Sequence, residues 1–176
     1  MTDDPDKIYI ESEDEDAFEE KAPKKTVRVL VFSLGDENYC VDVREAKEVI
    51  KMPDITRVPN VPPFIVGVAN MRGEILSILD LHYFFGVDPK GKTKDLRVIV
   101  TDVSGEQVGL MVDQVKDTLE IEEDRIQEPL ATLRGKLADY TKGQIPFGEN
   151  ILIFLDLEKI FQCEEIRNLK KGDQPR

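Results

Sequence analysis

The sequence predicts a mainly β fold made of two similar halves, each closed into a small barrel. Three observations favour it. From position 26 onward, short apolar runs rich in β-branched and aromatic residues alternate with turn residues. Four prolines between Pro53 and Pro63 exclude a helix there. An eleven-residue segment also recurs late in the chain, which indicates an internal duplication.

The first half is predicted to contain four strands separated by turns. Their β-branched and aromatic residues lie between Gly, Asp, Asn or Pro, and they cover residues 26–34, 39–43, 64–69 and 74–80. One or two helical turns are expected over residues 45–52, because Ala46, Val49 and Ile50 would lie on one side of a helix. Another helical turn is expected over residues 81–85, where Gly86 suits a helix end.

The second half repeats this pattern. Strands are expected over residues 96–103, 108–115, 119–126, 144–147 and 150–155. Short helices are expected over residues 158–161 and 164–171. Residues 127–142 stay ambiguous, because Gly135 interrupts the helical spacing of Leu130, Leu133 and Leu137.

The internal repeat is the most informative feature. Residues 75–85 and 151–161 agree at six of eleven positions, and a Gly-Glu pair precedes each copy. Chance recurrence of apolar strands is the alternative, but both copies share an aspartate, Asp80 or Asp156, that can cap a following helical turn. A half of about 70 residues is too small for a stable open sheet, so two barrels packed together are expected.

Charge divides the chain. The 24 basic and 36 acidic residues give a net charge of −12, which disfavours binding to nucleic acids and to anionic membranes. Residues 1–25 hold ten of the acids and are expected to be a solvated, disordered tail. The folded domain is expected over residues 26–165, with halves of about 26–95 and 96–162 between which strands can exchange. A C-terminal helix and tail follow over residues 166–176.

The composition favours a cytoplasmic protein. The acidic start is unlike a secretory signal, and no run of 18 apolar residues is present. Cys40 and Cys163 form no metal-binding or redox motif and are expected to be idle thiols in a reducing compartment.

The sequence gives little support for an enzymatic or a metal-binding site. The single histidine, His82, lacks partners for a nucleophilic triad or a metal site, so no cofactor or metal is expected. A phosphate-loop pattern starts at Gly86 and ends at Thr93, which would suggest an NTPase. A strand sequence follows it instead of the helix that phosphate binding requires, so a polar loop between strands is expected.

A charged turn is the stronger functional candidate. Residues 70–73 place Arg72 between two apolar strands, beside Gly73, which can adopt a positive φ. An exposed turn arginine without a role is the alternative. A guanidinium held by a carboxylate makes directed bonds to a partner, and Glu48 is the expected carboxylate.

Residues 31–43, 48–49 and 59–81 resemble the CheW-type chemotaxis coupling proteins. Residues 67–81 are close to the pattern G-x-x-N-L-R-G-x-I-x-P-I-x-D-L, with Met71 and Ser77 at the positions of the usual Leu and Pro. Residues 109–115 and 151–161 also fit, so the resemblance covers about residues 26–165.

The resemblance implies two five-stranded barrels packed side by side with a few short helices. It implies a non-enzymatic scaffold, monomeric when free, that links chemoreceptor signalling tips to the regulatory domain of the CheA histidine kinase. Such a protein would be recruited to the inner membrane through receptors. The receptor-binding residues would be Glu48, Val49, Asn70, Met71 and Arg72. Val98 would contact the kinase. An adaptor for another motility pathway is the alternative.

Overall fold

The structure, a computed structural model, describes residues 22–89 and 95–172. Within these ranges the chain forms ten strands: β1 (Thr26–Leu34), β2 (Glu37–Asp42), β3 (Ala46–Lys51), β4 (Ile65–Met71), β5 (Glu74–Asp80), β6 (Arg97–Val103), β7 (Glu106–Val112), β8 (Gln114–Glu122), β9 (Thr141–Phe147) and β10 (Asn150–Leu155). The helices are short: α1 (Leu81–Phe85), α2 (Gly135–Asp139), α3 (Leu157–Phe161) and α4 (Glu164–Gly172). The expected mainly β fold is confirmed.

The strands form two five-stranded sheets. The first sheet has the order β8-β1-β2-β10-β9, and the second has the order β3-β6-β7-β5-β4. The first sheet therefore combines strands from both ends of the described chain, whereas the second takes five consecutive strands from the middle. Strand exchange between the halves 26–95 and 96–162, which the sequence left open, is present, and Asp95 marks no boundary between the sheets.

Each sheet closes on itself through one isolated bridge. In the second sheet, Thr56 follows β3 and exchanges two backbone hydrogen bonds of 2.8 Å with Val68 of β4. In the first sheet, Gln127 follows β8 and pairs with Gln144 of β9 through bonds of 2.8 and 2.9 Å. The two outer strands of each sheet are thus joined, so each sheet is a small barrel with little free edge.

Three apolar cores result from side chains that alternate along the strands. Val29 and Val31 of β1 point into the first barrel, while Leu30 and Phe32 point to the layer between the barrels. In the second barrel, Val98 belongs to the interior. Central strands that are buried on both faces have nearly continuous apolar sequences, which matches the apolar runs of this chain.

The prediction of helical turns over residues 45–52 is wrong. The structure has only a 3-10 turn at Val43–Glu45, followed by strand β3. Along β3, partly buried and exposed residues alternate, and Glu48 is paired with Val100 of β6. The segment completes a ladder with β6, and this long-range pairing outweighs a local helical spacing of three apolar residues.

The repeated aspartates have the role that the sequence predicts. The Asp80 side chain accepts a hydrogen bond of 2.9 Å from the His82 backbone amide at the start of α1. The Asp156 side chain accepts one of 3.1 Å from the Lys159 amide in α3. The strands before them, β5 and β10, occupy equivalent places in the two sheets, which supports a duplicated fold.

Parts of three predicted features lie outside the described residues. These are residues 1–21 of the expected acidic tail, residues 90–93 of the phosphate-loop pattern and residues 173–176 of the expected C-terminal tail. After that pattern the described chain continues as strand β6. Among the described residues, no helix has the length and apolar character needed to cross a membrane.

Glycine at position 67 is expected to be required for barrel closure. It has a φ of +152°, and a Cβ atom there would lie 2.3 Å from the Thr56 carbonyl oxygen. Because that oxygen belongs to the backbone, we expect Gly67→Ala to lower the free energy of unfolding by about 3 kcal/mol. The chain has no tryptophan, so urea unfolding would be followed by far-UV circular dichroism.

Gly105→Ala is the matched control. Gly105 also has a positive φ, +85°, but a Cβ atom there would meet no neighbour within 4 Å. Gly105→Ala should therefore lower the free energy of unfolding only by the cost of the left-handed backbone, about 1 kcal/mol. Equal losses for the two variants would contradict the steric explanation.

Candidate functional site

The hairpin turn between β4 and β5 presents an arginine in an uncommon conformation. Arg72 and Gly73 have φ values of 54° and 86°, as in the two-residue turns that favour Asn-Gly. The Asn70 side chain accepts a hydrogen bond of 3.0 Å from the Gly73 amide, which stabilises the turn. A left-handed backbone costs an arginine about 1–2 kcal/mol, so this position is not optimised for stability.

Arg72 is paired with the carboxylate that the sequence predicts. Its Nη2 lies 3.2 Å from Oε2 of Glu48. Arg72 and Glu48 belong to strands at opposite ends of the second sheet, and barrel closure brings these strands together. The Arg72 side chain is 80% exposed and that of Glu48 is 31% exposed. The pair therefore holds a guanidinium at the surface with donors free for a partner.

A shallow groove of about 310 Å³ lies beside this pair. It is lined by residues of β3, β4, β5, β6 and β7: Lys47, Glu48, Met71, Arg72, Glu74, Ile75, Leu76, Val100 and Gln107. Lys47 forms an ion pair of 3.0 Å with Asp102, and its hydrogen bond holds the pKa of that carboxyl below the usual value. Charged groups thus surround an apolar floor.

The structure brings three of the predicted receptor-binding residues, Glu48, Met71 and Arg72, to the groove. Asn70 supports the turn, and Val49 is exposed on β3 next to Glu48. Val98 is different, because its side chain is fully buried in the interior of the second barrel. That side chain is therefore inaccessible to a partner in this conformation.

Sequence reasoning missed Ile75. The adjacent apolar residues Ile75 and Leu76 suggest a strand covered on both faces, yet Ile75 is 71% exposed in the groove and only Leu76 is buried. The available signal is its position beside a charged turn, since an exposed isoleucine there adds apolar area next to Arg72.

The site has the chemistry of binding. It combines fixed charges with exposed apolar side chains and holds no nucleophile paired with a base. Over residues 22–89 and 95–172, no three His, Cys, Asp or Glu side chains are grouped so that they could hold a metal ion. Cys40 and Cys163 are buried free thiols, and burial raises the pKa of Cys40 to about 12.

Comparisons with known proteins agree with one another. The family model for the CheW-like domain matches residues 28–165. The chemotaxis protein CheW of Klebsiella aerogenes is 36% identical over 138 residues, which are 78% of this chain and 82% of that protein. Protein PilI of Pseudomonas aeruginosa is 31% identical over 70% of this chain and 69% of its own length.

A solved structure has the same fold. The scaffolding protein TtCheW from Thermoanaerobacter tengcongensis superposes with a TM-score of 0.72 at 32% sequence identity. The match covers 80% of this chain and 96% of that one.

The Arg72–Glu48 pair is expected to contribute little to folding. Exposed ion pairs contribute about 0–1 kcal/mol, so Glu48→Ala and Arg72→Ala should each change the free energy of unfolding by less than about 1 kcal/mol. Asp42→Ala is the control, because the Asp42 side chain is only 7% exposed and binds Arg44 at 2.6 Å. Its removal should cost about 1–3 kcal/mol in urea unfolding. A large decrease in the free energy of unfolding for Glu48→Ala would show instead that the pair stabilises the fold.

Proposed function

The chain belongs to the CheW-like domain family, and on that premise we propose that it is a chemotaxis coupling protein that links chemoreceptors to the CheA histidine kinase. In this role it is a scaffold without enzymatic activity and without a cofactor. It acts in the cytoplasm and reaches the inner membrane through the receptors that it binds.

The surface pair of Arg72 and Glu48 beside an apolar groove carries the receptor part of this proposal. The cytoplasmic tip of a chemoreceptor is helical, and an amphipathic helix binds a groove through apolar anchors on one face. Met71, Val49 and the exposed Ile75 would contact those anchors. Arg72 would donate to a carboxylate or carbonyl of the helix, while Asn70 keeps the turn in place.

The kinase part of the proposal concerns the regulatory domain of CheA. Val98, the position that the resemblance indicates, lies on β6 inside the second barrel. Its contribution would therefore be indirect, through the shape of β6 and of the neighbouring β3, to which β6 is paired.

A second candidate is an adaptor for another receptor–kinase motility pathway. It is favoured by the likeness to a relative named Protein PilI instead of a chemotaxis protein. The two candidates share the same binding chemistry and differ in their partners. The proteins that co-purify with the chain from its own cells would distinguish them.

Reversing the charge at position 72 is expected to weaken receptor binding. In Arg72→Glu, the new carboxylate would face Glu48, and the guanidinium donors beside the groove would be lost. We expect the Kd for a purified chemoreceptor cytoplasmic fragment to rise at least about tenfold, or 1.4 kcal/mol, in isothermal titration calorimetry.

Arg134→Glu is the matched control, because Arg134 is an exposed arginine just before α2 that does not line the groove. It carries the same change in net charge and should leave the Kd unchanged. If both variants weakened receptor binding equally, the change in net charge alone would explain the effect. If the unmodified chain bound neither the receptor fragment nor the kinase regulatory domain, the proposal would be wrong.

A further inference from the structure

His82, the single histidine of the sequence, is buried between two carboxylates. Its side chain is only 5% exposed, although Tyr83 beside it on α1 is open to solvent. Nδ1 of the ring lies 3.0 Å from Oδ1 of Asp80, and Nε2 lies 2.8 Å from Oδ1 of Asp113. Both ring nitrogens therefore face acidic oxygens.

This arrangement suits the protonated ring. A neutral imidazole has one N–H donor and one lone pair, whereas the imidazolium has two donors. With Nδ1 bonded to Asp80, a neutral ring would direct the lone pair of Nε2 at a carboxylate oxygen 2.8 Å away. The Nε2 contact is an ion-pair contact instead of a well-aligned hydrogen bond, so its strength depends mainly on the ring's charge.

The contacts around His82 run from one barrel to the other. Asp80 ends β5 and His82 lies on α1, both of the second barrel. Asp113 is the residue between β7 of the second barrel and β8 of the first. Its Oδ2 accepts a hydrogen bond of 2.7 Å from the Gly35 amide in the β1–β2 turn. Its own amide donates one of 3.1 Å to the carbonyl of Ser33 on β1.

We propose that protonated His82 is a pH-sensitive latch between the two barrels. The imidazolium offsets one of the two negative charges of Asp80 and Asp113 and holds Asp113 where it can bind the Gly35 turn. Loss of the proton leaves two carboxylates around a neutral ring and weakens this junction. The proposal concerns the folded chain itself and does not depend on its partners.

The surrounding charges favour the protonated form of the ring. Burial by itself lowers the pKa of His82, but the contacts of the ring with the Asp80 and Asp113 carboxylates, and their negative charge, outweigh burial and raise the pKa above 6.5. On the α2 side, Lys136 is a charged residue that contacts α1. Its Nζ lies 4.7 Å from the centroid of the Phe64 ring and 4.5 Å from that of the Phe84 ring.

The direction of the pH effect follows from the raised pKa. The latch contributes fully to the free energy of unfolding below the unfolded-state pKa of histidine, about 6.5. This contribution is lost as pH rises through the folded-state pKa of His82. Between these two values, the unfolding equilibrium constant should rise by up to about tenfold for each pH unit.

A nuclear magnetic resonance titration of the full chain, labelled uniformly with ¹⁵N, tests the proposal. Because the sequence has one histidine, the ring signals need no assignment by mutation. We expect a folded-state pKa above 6.5, protons on both ring nitrogens below it, and a Gly35 amide signal that titrates with the same midpoint. A pKa at or below 6.5, or a Gly35 signal that does not respond, would overturn the latch.

Asp113→Asn provides the second measurement. It keeps the shape of the side chain but removes one charge, so the His82 pKa should fall. Asp117→Asn is the control, because Asp117 is exposed on β8 and its carboxylate accepts from the adjacent Thr118 amide. Equal shifts in both variants would show that net charge sets the pKa. The titration of the unmodified chain decides the proposal even if Asp113→Asn does not fold.

Urea unfolding across the same pH range gives an independent readout. The other acidic groups titrate in both the unmodified chain and His82→Gln. Their contribution therefore cancels in the difference between the two unfolding free energies. This difference should shrink as pH rises through the folded-state pKa. A difference that stays constant with pH would contradict a role for the proton.

Discussion

Closure of the two sheets is the constraint on which the other features depend. Each barrel is small, and it is completed by one isolated bridge near a glycine, Gly67 or Gly143, where a Cβ atom would clash with the closing segment. The two glycines are 76 residues apart, which is also the offset of the repeated strand and helix. Closure turns the outer faces of five short strands into a rigid surface and leaves their inner faces for packing.

The groove beside Arg72 is a product of that closure. Glu48 and Arg72 lie on the two strands that a flat sheet would place farthest apart, and the bridge at Thr56 makes these strands neighbours. The charged pair is then available at the surface at little cost to folding. His82 has the opposite character, because its ring is buried and contacts carboxylates at the junction of the two barrels.

Much of this could be predicted from the sequence, because strands, turns and helix caps depend on residues that are close in the chain. The Asp80 and Asp156 caps belong to this group. The sequence also predicts the Arg72–Glu48 pair, although barrel closure and not nearness in the chain brings its two residues together. Strand β3 could not be predicted, since its partner β6 lies some fifty residues away. The exposure of Ile75 and the burial of Val98 depend on which face of each strand turns inward, and only the assembled barrel decides that.

The exchange of strands makes the two barrels inseparable. The first barrel takes β1 and β2 from one repeat and β8, β9 and β10 from the other. This is the geometry of a domain-swapped dimer whose two subunits have been fused into one polypeptide. A cut at the midpoint of the chain would therefore separate strands of both barrels, and neither fragment would carry a complete sheet.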